Sequence, residues 1–162
     1  MKTERVPIDS VKLDPANVRR HGEKNLSAIK SSLSRFGQQK PIVVDADGIV
    51  RAGNGTWTAA KALGWKEITV VRTDLKGSEA TAYAIADNRT GELAEWDEDA
   101  LAQTLAALQI EDEELPEAAG FSAEELDALR IPNFAPASIE DQGRLDEKAK
   151  CRCPECGHEF TT

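Results

Sequence analysis

No cysteine occurs before position 151, so disulfides cannot frame the first 150 residues, and a small secreted, disulfide-stapled fold is excluded. No run approaches the roughly 18 consecutive apolar residues that a membrane helix requires. The opening MKTERVPIDS lacks the apolar stretch of a signal peptide. A cytoplasmic protein without a membrane partner is therefore expected. Internal repeats and low-complexity blocks are also missing. With 162 residues, the chain can fold one main core and carry an appendage.

Basic residues are scarce in one region only. Residues 92 to 130 hold 13 Asp+Glu against a single cation, Arg130, whereas residues 1 to 91 hold 15 Lys+Arg against 10 Asp+Glu. The net charge of −9 hides this asymmetry. The first part suits a phosphate-bearing partner. The second would repel a nucleic-acid backbone wherever it faced one.

What is present reads as alternating strands and helices. VPIDSVKL (6–13) alternates like a half-buried strand, with a break near Ser10. Leu26, Ile29, Leu33 and Phe36 recur at helical spacing, and Gly37 stands where a left-handed cap belongs. PIVVD and IVRAG flank Ala46-Asp47-Gly48 and predict a hairpin. GNGTWTAAKALGW (53–65) then turns abruptly into a short helix, capped by Thr56 or Thr58 and ended by Gly64. EITVVRT predicts another strand. A helix starting at Ser78 follows, with Ala82, Ile85 and Ala86 as its inner face. Beyond it, Leu101, Leu105 and Leu108 form one stripe, and Ser122 with Glu125 have the spacing of a capping box. The expected class is α+β (α/β), a small mixed sheet with packed helices. The expected division is a core at 1–93, an acidic helical extension at 94–131, a linker at 132–149 and a Cys/His tail at 150–162.

The glycine turn is the principal site candidate. Gly53 and Gly55 let the backbone bend without a Cβ in the way, and the following helix directs free N–H groups and its positive dipole end into the bend. That architecture attracts phosphate, although a tight connection needs the same glycines. Trp57 could stack on a base or pack on the sheet; Trp65 and Trp96 are expected in the core or as staples. His21 could act as a base or simply be solvated, and Arg19, Arg20 and Lys24 could form a basic lip. Glu23 and Asp87 would share a metal only if the loop folds over the later helix. In KCRCPECGHEF, Cys153 and Cys156 form a C-x-x-C knuckle, with Cys151 and His158 as further zinc ligands. Either these four groups surround one ion, or two chains share it.

The blocks NVRRHGEKNLSAIKSSLSRFGQQKPIVVDADGIVRAGNGTWTAAKALGW and ADNRT resemble the N-terminal domain of the ParB and sulfiredoxin superfamily, most closely its short ParB-like members from phages and mobile elements. The similarity extends into ELAEWDEDALAQTLAALQ and GFSAEELDAL. It implies a nucleotide site for CTP, ATP or ADP with magnesium. Gly37, Gln38, Gln39 and Pro41 would form the base and ribose wall; Gly53, Asn54, Gly55, Thr56, Trp57 and Thr58 the phosphate box; and Asp87 with Asn88 the magnesium pair, beside Arg89. The arginine-rich GERRxRA box of partition proteins is absent, so backbone amides, threonine hydroxyls and Arg19, Arg20, Arg51 or Arg89 would have to hold phosphate. Asn54 stands where sulfiredoxin needs cysteine, which excludes sulfinate reduction. The acidic helices exclude the helix-turn-helix DNA reader of partition proteins.

The resemblance thus implies a ParB-like nucleotide-binding module in phage or mobile-element DNA metabolism, associated with DNA modification or packaging. Its expected partners are nucleotide, DNA or a DNA-modifying enzyme, and a second copy as homodimer. One alternative is a metal-dependent nuclease or phosphotransferase/NTPase using Asp87 and Asn88, with His21 or Glu23 as base. Another is a non-catalytic protein-interaction adaptor.

Overall fold

The computed structural model describes residues 2–130 and 150–161, in two compact units, Met1–Arg130 and Ile131–Thr162. The interval 132–149, read from sequence as a linker, lies outside the described residues.

The first unit is built on a five-stranded mixed sheet in the order β1-β5-β3-β4-β2. Its strands are β1 (Thr3–Pro7), β2 (Lys12–Leu13), β3 (Ile42–Val44), β4 (Ile49–Ala52) and β5 (Glu67–Arg72). The expected break near Ser10 is a 3-10 turn, Ile8–Ser10, that divides the first strand in two. β1 pairs antiparallel with β5, Val6 opposite Ile68, whereas β2 pairs parallel with β4 at the other edge. A flat sheet of this size would hold its edges about 19 Å apart. A connector containing a 3-10 turn, which rises only about 2 Å per residue, cannot cover that gap. The sheet therefore curls.

Aliphatic residues fill the curl: Ile8, Val11, Ile42, Val44, Val50, Ile68 and Val70 are all buried. Each contributes on the order of 1.5–3 kcal/mol by leaving water. Helix α1 (Glu23–Phe36) adds Leu33, and α2 (Asn54–Ala62) adds Ala59 and Ala60, small enough to let the helix approach closely. Gly37, at φ 69°, ends α1 with its N–H on Leu33 O at 3.0 Å. Trp65 packs on this core as expected. Trp96 does not: it is 71% exposed and meets Phe121 edge-on, 6.3 Å between centroids.

Helix α3 (Gly77–Glu92) corrects the sequence reading. Ala82, Ile85 and Ala86 face solvent, while Ala80 is buried and Tyr83, Ala84, Asp87 and Asn88 are half-buried. Apolarity misled because the alanines carry little of it, and the inner face of this helix is partly polar. Beyond it lie α4 (Glu98–Glu111), α5 (Leu115–Ala118) and α6 (Ala123–Arg130). The leucine stripe holds: Leu105 is buried, and Leu101 and Leu108 are half-buried. So does the capping box, in which Ser122 N donates to Glu125 Oε2 at 2.9 Å and Glu125 N donates to Ser122 Oγ at 3.3 Å. α1 is tied to this acidic group by Arg35 to Asp112 and by Lys24 to Glu125. The Lys24 ammonium and the Ser122 N–H hold the Glu125 carboxyl down at about 2.

The second unit contains a hairpin of β6 (Lys150–Arg152) and β7 (Glu159–Thr161). Among the described residues, no helix is long and apolar enough to cross a membrane.

Candidate functional site

β4 delivers the chain to Gly53, whose φ of 96° belongs to the left-handed region; a Cβ there would lie 2.5 Å from Ile42 Cγ2. Conformation and crowding both demand glycine. The turn is so tight that α2 begins at Asn54, before either candidate capping threonine. Neither caps it, and Thr58 Oγ1 instead donates back to Asn54 O at 2.9 Å. The first backbone bond of the helix runs from Trp57 N to Gly53 O at 2.9 Å. The N–H groups of Asn54, Gly55 and Thr56 therefore precede the helical ladder, at the positive end of the helix dipole.

These residues border a cleft of about 230 Å³. Ile42, Val43 and Ala52 supply its sheet side, Lys40 and Pro41 one wall, Asn17, Arg19 and His21 another, and Asp87 and Asn88 of α3 a third. The structure thus gathers Pro41, Gly53, Asn54, Gly55, Thr56, Asp87 and Asn88 from three separate stretches of sequence.

Several expected site residues are committed elsewhere. The Gln38 amide pairs with the β5 backbone: Nε2 donates to Thr69 O and Oε1 accepts from Thr69 N, both at 2.8 Å. It prolongs the β3–β5 pairing by one surrogate peptide. Gln39 Nε2 donates to Phe36 O, and neither glutamine nor Gly37 lines the cleft. Trp57 is packed on the core; its indole N–H donates to Ile8 O at 3.0 Å, and Lys61 lies 4.8 Å above its ring. Glu23 is exposed and outside the cleft, as are Arg20 and Arg89, so Glu23 and Asp87 do not meet there. Lys24 turns to Glu125 at 2.7 Å. Of the expected basic lip only Arg19 reaches the cleft, where it pairs with Glu92 at 2.7 Å.

Arg51 shows most clearly what sequence could not reveal. Its guanidinium lies between two buried carboxylates, 2.8 Å from Asp14 Oδ2 and 2.7 Å from Asp45 Oδ2. Burial pushes the Arg51 pKa down, but the hydrogen bonds it donates to Asp45 and Asp14 outweigh that, and the cation is held above its ordinary value. Burial likewise pushes Asp45 up, and the Ile49 N–H, the Arg51 guanidinium and the Asp47 N–H reverse it, leaving a carboxyl below the usual range. This triad is already over-neutralised, so Arg51 has little charge to offer a phosphate. Asn54 is bound into the same assembly: buried, it donates Nδ2 to Val50 O at 3.1 Å and accepts Asp14 N at 3.2 Å. Asn54 contributes a backbone amide to the cleft while its side chain locks the loop after β2.

Sequence reasoning missed Lys40. Its place is fixed by Pro41 and the start of β3, and among the described residues no ion pair engages it. His21, in contrast, is brought into the site: Nδ1 lies 2.8 Å from Asn25 Oδ1, and with that oxygen as acceptor Nδ1 carries the proton, leaving Nε2 as the second polar atom. Asn88 Nδ2 donates to Ala84 O at 2.8 Å, which leaves Oδ1 to accept a hydrogen bond or ligate a cation. Burial and the nearby Asp87 carboxylate push the Tyr83 phenol up. The cleft therefore combines free amides, one uncommitted cation and a carboxylate–amide pair, a set suited to an anion or an anion with a hard cation.

In the tail, Cys153 and Cys156 come together at the hairpin turn. The N–H groups of Cys156 and Glu155, with the Cys156 thiol, lie against the Cys153 sulfur and hold its pKa below the ordinary thiol value. No group of three or more metal-capable side chains occurs among the described residues, so His158 does not join the pair there; the Cys151 side chain is outside the described set.

Protein-family models give no match to the chain, and neither do curated proteins. Solved structures do. C-terminally truncated ParB from Caulobacter crescentus, complexed with CTP-γ-S, superposes with a TM-score of 0.68 at 21% identity, over 80% of this chain and 77% of that one. The same protein complexed to the centromeric parS site gives 0.46 at 22% identity, over 78% and 69%. A pNOB8-like ParB N-domain gives 0.47 at 19%, over 70% of this chain and 49% of that one. With the curled mixed sheet and its helices in place, the chain carries the fold of the ParB N-terminal domain.

Proposed function

We propose that the protein is a ParB-like nucleotide-binding module whose cleft takes the phosphates of the ligand at the N-terminus of α2. The observation that carries this reading is the convergence of the Asn54, Gly55 and Thr56 amides, Lys40, Asp87 and Asn88 on one cleft. The CTP-γ-S bound by the Caulobacter protein supports it by fold. Pro41 and the aliphatic side of the cleft would meet the sugar or base. Magnesium fits the donor chemistry, because Asp87 offers a carboxylate and Asn88 a carbonyl oxygen, both hard ligands. When bound, such an ion would supply positive charge that Arg51, held by Asp14 and Asp45, does not. We place the module in phage or mobile-element DNA metabolism, beside DNA modification or packaging, with a homodimer as its working form. The acidic extension at 92–130 makes a protein partner, such as a DNA-modifying enzyme, the better-matched contact than naked DNA.

Calorimetric titration with CTP, ATP, ADP and GTP, with and without magnesium, tests the module. Saturable heat from at least one nucleotide, with affinity weakened about tenfold or more in Lys40→Ala and reduced in Asn88→Ala, is expected. No heat from any of the four, in protein whose circular dichroism shows it folded, would overturn it in favour of the adaptor.

One observation favours a second reading, a phosphate-transferring enzyme: His21 stands at the cleft with Nδ1 fixed by Asn25. Nε2 could then accept a proton from an attacking water or hydroxyl. Phosphate release that disappears in both His21→Gln and Asp87→Asn would establish it.

A further inference from the structure

The tail hairpin carries a pair of cysteines that the proposed nucleotide site does not use. In the hairpin of β6 and β7, Cys153 N donates to His158 O and Gly157 N donates to Cys153 O, each at 2.9 Å. Gly157 adopts φ 73°, which lets the chain double back and sets the two cysteines side by side. Arg152 Nε donates to Gly157 O at 3.2 Å and keeps a guanidinium beside the turn. Both cysteines are free, and Cys156 is exposed.

Two thiolates fill half of a tetrahedral zinc shell. Among the described residues no third metal-capable side chain joins them, and His158, held through its backbone, is not gathered into the pair. From this half-site we infer that two copies of the chain share one zinc ion, each contributing Cys153 and Cys156. Four thiols lose four protons as four Zn–S bonds form, with no change of oxidation state. The resulting centre carries a double negative charge, which Arg152 from each copy offsets. A shared ion would also bring two nucleotide modules together at high effective concentration without any contact between their folded cores.

The test uses the full-length chain, reduced, metal-free and without nucleotide, titrated with Zn²⁺ and followed by light scattering and metal analysis. About one zinc per two chains is expected, with a doubling of mass that a chelator reverses. Cys153→Ser and Cys156→Ser should each abolish both effects, while Cys151→Ser and His158→Ala leave them intact. Co²⁺ in place of zinc should give the spectrum of an all-thiolate tetrahedral site. One zinc per chain without a mass change would overturn the inference, as would loss of binding in Cys151→Ser or His158→Ala, or failure to bind zinc at all. Far-UV circular dichroism of each variant checks that the first unit is unaltered.

Discussion

The His21 imidazole lies directly against Gly55: a Cβ at position 55 would stand 2.8 Å from His21 Cε1 and 2.9 Å from Nδ1. The glycine is thus required by a residue 34 positions earlier in the chain, not by its own backbone, which is helical. Gly55→Ala gains about 0.5–1 kcal/mol of helix propensity but must displace the ring and Ile29 Cδ1, also 2.9 Å away. A net loss of about 1 kcal/mol in urea unfolding is expected. Adding His21→Ala should recover at least half of it, and a double-mutant cycle showing no coupling would contradict the contact.

Arg51 holds two buried carboxylates. Arg51→Met leaves both without a counter-charge and should destabilise the protein by about 3–5 kcal/mol. Asp45→Asn in the same background should restore part of that loss. Equilibrium denaturation of the wild type and the two variants measures both effects.

The same triad gives a pH dependence of definite sign. The folded Asp45 carboxyl lies below its unfolded value of 3.8, so its contribution to stability is complete above that pH. It is lost as pH falls through the folded value. Unfolding midpoints measured from pH 7 down to pH 2 should fall at the acid end in wild type, and less steeply in Asp45→Asn.

Gln38 and Trp57 separate structure from binding. Gln38→Ala removes two hydrogen bonds to Thr69 and should cost about 1–3 kcal/mol. Trp57→Phe removes the bond to Ile8 O and should cost about 1 kcal/mol. Nucleotide affinity should stay within about twofold in Trp57→Phe if the ring stays on the core. A large loss of affinity with little loss of stability would return Trp57 to the site.

Lys40 is the cleft's uncommitted cation. Lys40→Ala should weaken nucleotide binding by about tenfold or more, the scale of one charge-assisted hydrogen bond. Binding should also weaken with added salt, with a shallow slope for so few free cations. Calorimetry between low and moderate ionic strength reads both.

Local chemistry already visible in sequence carried much of the architecture. Asp47-Gly48 announced the hairpin, Ser122 and Glu125 announced their capping box, and the leucines at 101, 105 and 108 announced a packed helix. Each is decided within a few residues, so a linear reading reaches it. α3 was misread because a run of alanines has no strong sidedness, and the polar pair Asp87 and Asn88 lies on its half-buried side. The bond from Gln38 to Thr69 was not legible, because hydrogen-bonding a distant strand and lining a ligand wall require the same side chain.

By itself, the sequence determined where the backbone bends and which segments are strand or helix, because those choices depend on torsions and neighbours within one turn. It also set the charge division between the core and the acidic helices. Only the tertiary structure decided which charges remain free. Arg19, Arg51 and Lys24 are each claimed by at least one partner that lies 37 to 101 positions away, while among the described residues Lys40 has no ion-pair partner. A charge's availability depends on what the folded chain places within a few ångströms of it, and that distance is set by the curl of the sheet.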